Sequence, residues 1–184
     1  MADHNRGSFP LETERLLLRP FELADAEGIF ETWGDPVAMR CIPSGALPDV
    51  RSARQKVGRF MEHQAAHGFS LWPVIEKASG RIIGDCGLLL VQWIGPEVEL
   101  AYRFSRASWG KGYASEAAGA ALRYGFDVVG LDAIIAVTDP GHVASRRVME
   151  KNGMTFVGTA RYDGRDLVKY VVTSVGRPLP MQGA

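Results

Sequence analysis

The residues with the clearest chemical meaning lie in one short run, Arg106-Ala-Ser-Trp-Gly-Lys-Gly-Tyr-Ala114. Gly110 and Gly112 bracket Lys111, and glycine lets a backbone take positive φ and come close to a ligand. Helical spacing resumes at Ala114. The run therefore opens into a helix whose unpaired N–H groups and positive dipole end face the loop. With the charges of Lys111 and Arg106, it reads as a site for an anion the size of a pyrophosphate. The alternative is a glycine-containing turn from strand to helix with no ligand. A Walker loop is excluded, because Gly-x-x-x-x-Gly-Lys-Ser/Thr does not occur. A Rossmann loop is disfavoured, because Gly110-Lys-Gly112 is followed three residues on by Ser115 rather than glycine.

Other chemistry is thin. His63 and His67 stand four apart on a helical stretch, but Gln-Ala-Ala lies between them and no third ligand suggests itself, so a solvated helix face is favoured over a metal. The two cysteines, Cys41 and Cys86, are too few for a disulfide framework and read as thiols in a reducing compartment. Lys plus Arg and Asp plus Glu number 21 each, so no global field draws in nucleic acid or an anionic membrane. No run approaches the roughly 20 apolar residues of a membrane span, and the polar start lacks a signal sequence. A cytoplasmic protein is expected.

The elements that must position the loop follow from periodicity. Residues 15–21 read as a strand, 23–33 and 50–66 as helices, 69–77 and 81–93 as a hairpin, and 97–105 as a further strand. Residues 114–129 form a helix with a small-residue face of Ala114, Ala117, Ala118, Ala121 and Gly125, suited to close approach to a sheet. A strand at 131–138, a helix at 143–151 closed by Asn152-Gly153, and a last hairpin of 154–161 and 166–173 across Asp163-Gly164 complete the order. The result is one mixed α/β domain over residues 11–175, with flexible tails at 1–10 and 176–184.

Several blocks in this order resemble a known family. Val98-Glu-Leu-Ala-Tyr-Arg-Phe104, Trp109-Gly-Lys-Gly-Tyr-Ala114 and Glu116-Ala117 are similar to the acetyl-CoA signature of the GNAT N-acetyltransferases. Thr13-Glu-Arg-Leu-Leu-Leu-Arg-Pro-Phe21, Ile83-Gly-Asp-Cys-Gly87 and Ala144-Ser-Arg-Arg-Val-Met-Glu-Lys-Asn-Gly-Met154 resemble its ribosomal-protein alanine acetyltransferase branch, the RimJ/RimL type.

The resemblance implies a mostly antiparallel twisted sheet flanked by helices, with two central strands splayed to admit acetyl-CoA. It implies that Trp109, Gly110, Lys111, Gly112, Tyr113 and Ala114 wrap the CoA pyrophosphate, and that the backbones of Tyr102 and Phe104 pair with pantetheine amides. No metal is implied.

The reaction needs a base for the amine, and Glu99 on the thioester strand is a candidate; the alternative is a structural pair with an arginine. Ser145 is a candidate to meet the CoA sulfur, or else a helix-start cap. His142 stands where the family usually has Asn. Met149 stands where many members have an acidic tyrosine. Met39, Arg40 and Tyr162 border the expected acceptor entrance. Trp33, Trp72, Trp93 and Trp109 could line it, though a core role is commoner for such residues.

The implied activity is acetyl transfer to a primary amine, with a protein N-terminus as one candidate acceptor, by a monomer or homodimer. The alternatives are a small-molecule amine acceptor, a non-catalytic acyl-CoA-binding module, or a structural domain without a ligand.

Overall fold

A computed structural model describes residues 9–91, 95–162 and 164–174. Most of both expected tails, the strand end at Trp93 and the turn residue Asp163 lie outside them. The order is β1 (Leu11–Glu12), β2 (Leu16–Leu18), α1 (Ala26–Trp33), α2 (Val50–His67), β3 (Leu71–Glu76), β4 (Ile82–Leu90), β5 (Val98–Phe104), α3 (Tyr113–Tyr124), β6 (Ala133–Thr138), α4 (Val143–Lys151), β7 (Thr155–Tyr162) and β8 (Arg165–Thr173). The eight strands form one sheet in the order β1-β2-β3-β4-β5-β6-β8-β7. Among the described residues only the central β5–β6 pair is parallel.

Three elements differ from the sequence reading. The opening strand is a tight hairpin, because Thr13 turns the chain: its N–H donates to Leu16 O and its Oγ1 accepts from Leu16 N–H, both at 2.9 Å. The first helix begins as a 3-10 turn over Leu23–Asp25. The long helix closes at Tyr124 and continues as a wider π-type turn over Gly125–Val129. A Cβ at Gly125 would stand 2.7 Å from Ile134 Cδ1 and 2.8 Å from Leu88 Cδ1, so glycine permits that close seat on the sheet. Phe9, assigned to the tail by sequence, packs its ring 5.1 Å from Trp72 and 5.0 Å from Tyr124.

The helices cover both faces of the sheet. Against α1 and α2 lies a cluster of Phe21, Ile29, Trp33, Met39, Val57, Phe60 and Leu71, joined by Ala101 of β5. On the other face, the Ala117, Ala118 and Ala121 stripe of α3 and Met149 of α4 pack with Leu88, Leu100 and Ile134. Alternation along β5 thus assigns Val98, Leu100, Tyr102 and Phe104 to the α3–α4 side, and Glu99, Ala101 and Arg103 to the α1–α2 side.

β5 and β6 share a single bridged pair, Glu99 with Ile135. Ser105 N–H donates to Ile83 O at 2.9 Å, while Phe104 lies opposite Gly84 and Tyr102 opposite Cys86. Bonded and non-bonded pairs alternate along an antiparallel ladder. Tyr102 and Phe104 therefore turn their backbone edges away from β4, toward β6. Among the described residues no pairing joins β5 to β6 beyond Glu99 and Ile135, which leaves an unladdered gap between the two strands from residue 101 onward.

Candidate active site

The loop that ends β5 is braced before it reaches α3. Ser105 and Ser108 share a hydroxyl contact of 2.9 Å, and Trp109 Nε1 donates to Phe104 O at 2.9 Å. Arg106 Nε donates to Asp35 at 2.5 Å, which ties the turn to the end of α1 and holds the Asp35 carboxyl below its usual range. Gly110 and Gly112 take φ of 74° and 84°, left-handed values that favour glycine. Gly112 is the N-cap of α3, and no side chain caps the helix there. Residues 110–112 are exposed. The first amides of α3 thus face outward from a rigid turn, as an anion requires.

Sequence reading missed the brace behind this loop. Arg15 donates from Nε to Glu116 at 2.7 Å and from NH1 to Lys111 O at 2.9 Å. Glu116 also accepts from Thr13 Oγ1 at 2.6 Å and from Arg15 N–H at 2.9 Å. The first-turn carboxylate of α3 is thereby directed to the β1–β2 hairpin, behind the loop. Thr13, Arg15 and Glu116 all fall in blocks legible by resemblance, but nothing in the sequence shows that they meet. Tyr113 belongs to the loop by its backbone only. Its buried side chain donates to Glu76, and the Arg15 guanidinium lies 4.6 Å over its ring.

Across the gap, His142 and Ser145 open α4. His142 Nδ1 accepts from Ser145 N–H at 3.4 Å, so the histidine, and not the serine, caps the helix. Burial pushes the His142 imidazole below its ordinary pKa, with Arg40 adding to the effect. Ser145 is buried, and its Oγ lies 3.0 Å from the Tyr102 hydroxyl, which also donates to Ser145 O at 2.9 Å. Arg146 Nε donates to Tyr170 Oη at 2.9 Å, and Asn152 Nδ2 to Ser115 O at 3.2 Å, fixing α4 against β8 and α3. Met149 is buried in the core.

A cleft of about 400 Å³ lies between the loop after α1 and the start of α4, lined by Arg40, Cys41, Asp139, Gly141, His142, Val143 and Ala144. Asp139 accepts from Arg165 at 2.6 Å. The Arg40 guanidinium lies 5.8 Å over the exposed Trp109 ring, joining the loop after α1 to the turn before α3. Met39 is fully buried beneath α1 and α2, so it supports this wall from below and offers no surface to an acceptor. Trp33 and Trp72 are core residues.

On the α1–α2 side, Glu99 is half-buried on β5. Tyr162 of β7 donates to Glu97 at 3.4 Å, and Lys169 donates to Glu97 at 2.6 Å. Burial raises the Tyr162 pKa, Lys169 opposes it, and the Glu97 and Glu99 carboxylates add smaller pushes, so Glu99 and Tyr162 share one electrostatic neighbourhood.

An arginine pair does form close by, between β4 and β5. Buried Asp85 accepts from Arg103 Nε at 3.0 Å, from Arg103 NH2, and from Trp33 Nε1 at 3.3 Å. Lys56, 5.1 Å over the Trp33 ring, is pushed down to about 8 by burial, with Arg103 adding to the shift.

His63 and His67 are 4.6 Å apart. His63 contacts Phe69 O through Nδ1 at 2.8 Å and accepts Leu90 N–H on Nε2 at 3.4 Å. Among the described residues no group of three His, Cys, Asp or Glu could hold a metal, and no helix is long and apolar enough to cross a membrane.

The model of the acetyltransferase (GNAT) domain matches residues 15–155. The chain is 36% identical over 162 residues to the YkkB protein of Bacillus subtilis, covering 87% of this chain and 93% of that protein. It is 31% identical over 146 residues to N-acetyltransferase p20 of Bacillus licheniformis, covering 79% and 81%. A GNAT-family acetyltransferase structure from Bacillus anthracis superposes with a TM-score of 0.78 at 31% identity, over 90% of this chain and 98% of that one.

Proposed function

The chain belongs to the GNAT acetyltransferase family, as an acetyl-CoA-dependent N-acetyltransferase, and we propose that its acceptor is the primary amine of a peptide N-terminus, in keeping with the RimJ/RimL resemblance. The charge of the cleft carries this reading. Asp139 is held by Arg165, burial keeps His142 toward its neutral form, and Arg40 supplies positive charge. A polyamine or aminoglycoside needs the opposite, several carboxylates open to a polycation.

The residues fit acetyl-CoA. Main-chain amides from Trp109 to Ala114 would take the pyrophosphate, and the edges of Tyr102 and Phe104 facing the gap would take the pantetheine arm. Phe104 has one group fewer to offer than the sequence suggests, because the Trp109 indole occupies its carbonyl. A bound thioester supplies the electrophilic carbonyl. Glu99, on the α1–α2 side, removes the amine proton directly or through water as the new C–N bond forms. On the α3–α4 side, Ser145 meets the departing sulfur. The protein is read as a cytoplasmic monomer or homodimer, a single domain over residues 11–175.

A CoA-release assay across peptides, polyamines and aminoglycosides tests the reading. Peptides with free N-termini should give the highest kcat/KM, and Glu99→Gln should lower kcat by about a hundredfold or more. A polyamine or aminoglycoside preferred over every peptide would contradict the acceptor assignment.

A further inference from the structure

Tyr102 enters the sequence reading through its backbone alone, yet its side chain ties β5 directly to the start of α4 at a functional candidate. A carbonyl oxygen cannot donate, so the Tyr102 hydroxyl proton points at Ser145 O, 2.9 Å away. The phenol oxygen then has lone pairs left for Ser145 Oγ at 3.0 Å, and the Ser145 hydroxyl donates to it. Ser145 itself is buried, and the three residues before it, His142, Val143 and Ala144, line the cleft.

We propose that Tyr102 is a positioning residue: its hydrogen bond to Ser145 O fixes the first turn of α4, and so holds the Ser145 side chain where its hydroxyl can turn from the phenol oxygen to donate a hydrogen bond to the CoA sulfur as negative charge forms there. The proposal rests on the acetyl-CoA reading above. No proton leaves Tyr102. Burial raises its pKa, so the phenol stays protonated across the working range and its hydrogen bond to Ser145 O is retained throughout. As the thioester C–S bond breaks, the electron pair goes to sulfur, and the serine exchanges a neutral acceptor for an anionic one. Hydrogen bonds to anions are the stronger kind. The arrangement offers the sulfur a hydrogen-bond donor that Met149 cannot supply, from the first turn of α4 and held there from β5.

The product complex gives a test that needs no acceptor. The thiol of CoA bound to the full chain can be titrated by thiolate absorbance, taken as the difference from protein loaded with desulfo-CoA to remove Cys41 and Cys86. With wild type, the bound thiol should titrate below free CoA. Ser145→Ala should move it upward, and Tyr102→Phe should move it in the same direction by less. Added to Ser145→Ala, Tyr102→Phe should change nothing further. Both variants should keep CoA affinity within about threefold and fold as wild type does by circular dichroism. In turnover, Tyr102→Phe should lower kcat about tenfold with KM for acetyl-CoA little changed.

A Tyr102→Phe titration identical to wild type, or a shift as large in the Ser145→Ala background as alone, overturns the proposal. Should Tyr102→Phe lose the fold, Ser145→Cys decides in its place: a hydroxyl acting on sulfur requires its bound-CoA titration to rise, and an unchanged value overturns the proposal. A wild-type protein that binds no CoA overturns the acetyl-CoA reading itself, a distinct result.

Discussion

Asp85 shows most plainly how single residues set the conditions for this site. It is fully buried, and its carboxylate answers Arg103 and the Trp33 indole, while Lys56 stands over the same indole. The Arg103 guanidinium lies 5.4 Å from the Trp33 ring and 5.8 Å from Phe60, in the apolar cluster that α1 and α2 press onto β5. Such a pair contributes little over an apolar substitute, but breaking it leaves a buried charge alone. Asp85→Ala should therefore cost about 3–5 kcal/mol in urea unfolding. A loss below about 1 kcal/mol would mean that Arg103 finds water once its partner is gone. This network also locates Glu99. Asp85 of β4 takes Arg103 of β5, the arginine on the same face of that strand as Glu99.

At the scale of elements, the gap depends on how firmly each helix is pinned. His63 joins α2 to two strands, through Phe69 O before β3 and Leu90 N–H at the end of β4. Accepting from Leu90 requires a bare Nε2, so the ring must be neutral. Burial, followed by His67, lowers the His63 pKa against a raising contribution from Phe69 O. The sign follows from linkage: the unfolded chain binds the proton more readily, so stability is full above the ordinary value of about 6.5 and falls as pH drops through the lower folded value. Melting temperature should decline from pH 7.5 to pH 5, and His63→Gln should flatten that slope. An equal slope in both proteins would remove His63 from the account.

The same scale shows where sequence reasoning stops. Small residues at helical spacing along α3 already implied contact with a sheet, and the hairpins were legible from alternation and glycine turns. The 3-10 start of α1, the π-type turn after Tyr124 and the β1–β2 hairpin were not, since each is set by a packing or side-chain bond that periodicity does not encode. Met39 is expected at the border of the acceptor entrance because it lies in the loop after the first helix. In fact its N–H donates to Asp35 O at 3.0 Å and its carbonyl accepts from Ile42 at 2.9 Å, folding it under the helices.

For the whole molecule, the site is an assembly of distant chain segments. Arg15 reaches Glu116, and Tyr102 reaches Ser145, across separations no local motif records. The motif blocks therefore pointed to residues 109–114, Glu99 and Ser145 as candidates, but not to the contacts around them. Those contacts make the account physical: a loop braced from behind by Arg15, an opening between β5 and β6 past Glu99, and a different chemical group on each side of it. The central claim is that this frame receives acetyl-CoA through the main chain at residues 109–114. Calorimetric titration of acetyl-CoA, with melting followed in parallel, tests it directly. The account predicts saturable 1:1 binding, stabilisation of about 2.7 kcal/mol at a hundredfold excess over Kd, and affinity at least about tenfold weaker in Gly112→Val, whose side chain strains the left-handed turn. Absence of heat and of any melting shift in the wild-type protein would contradict it.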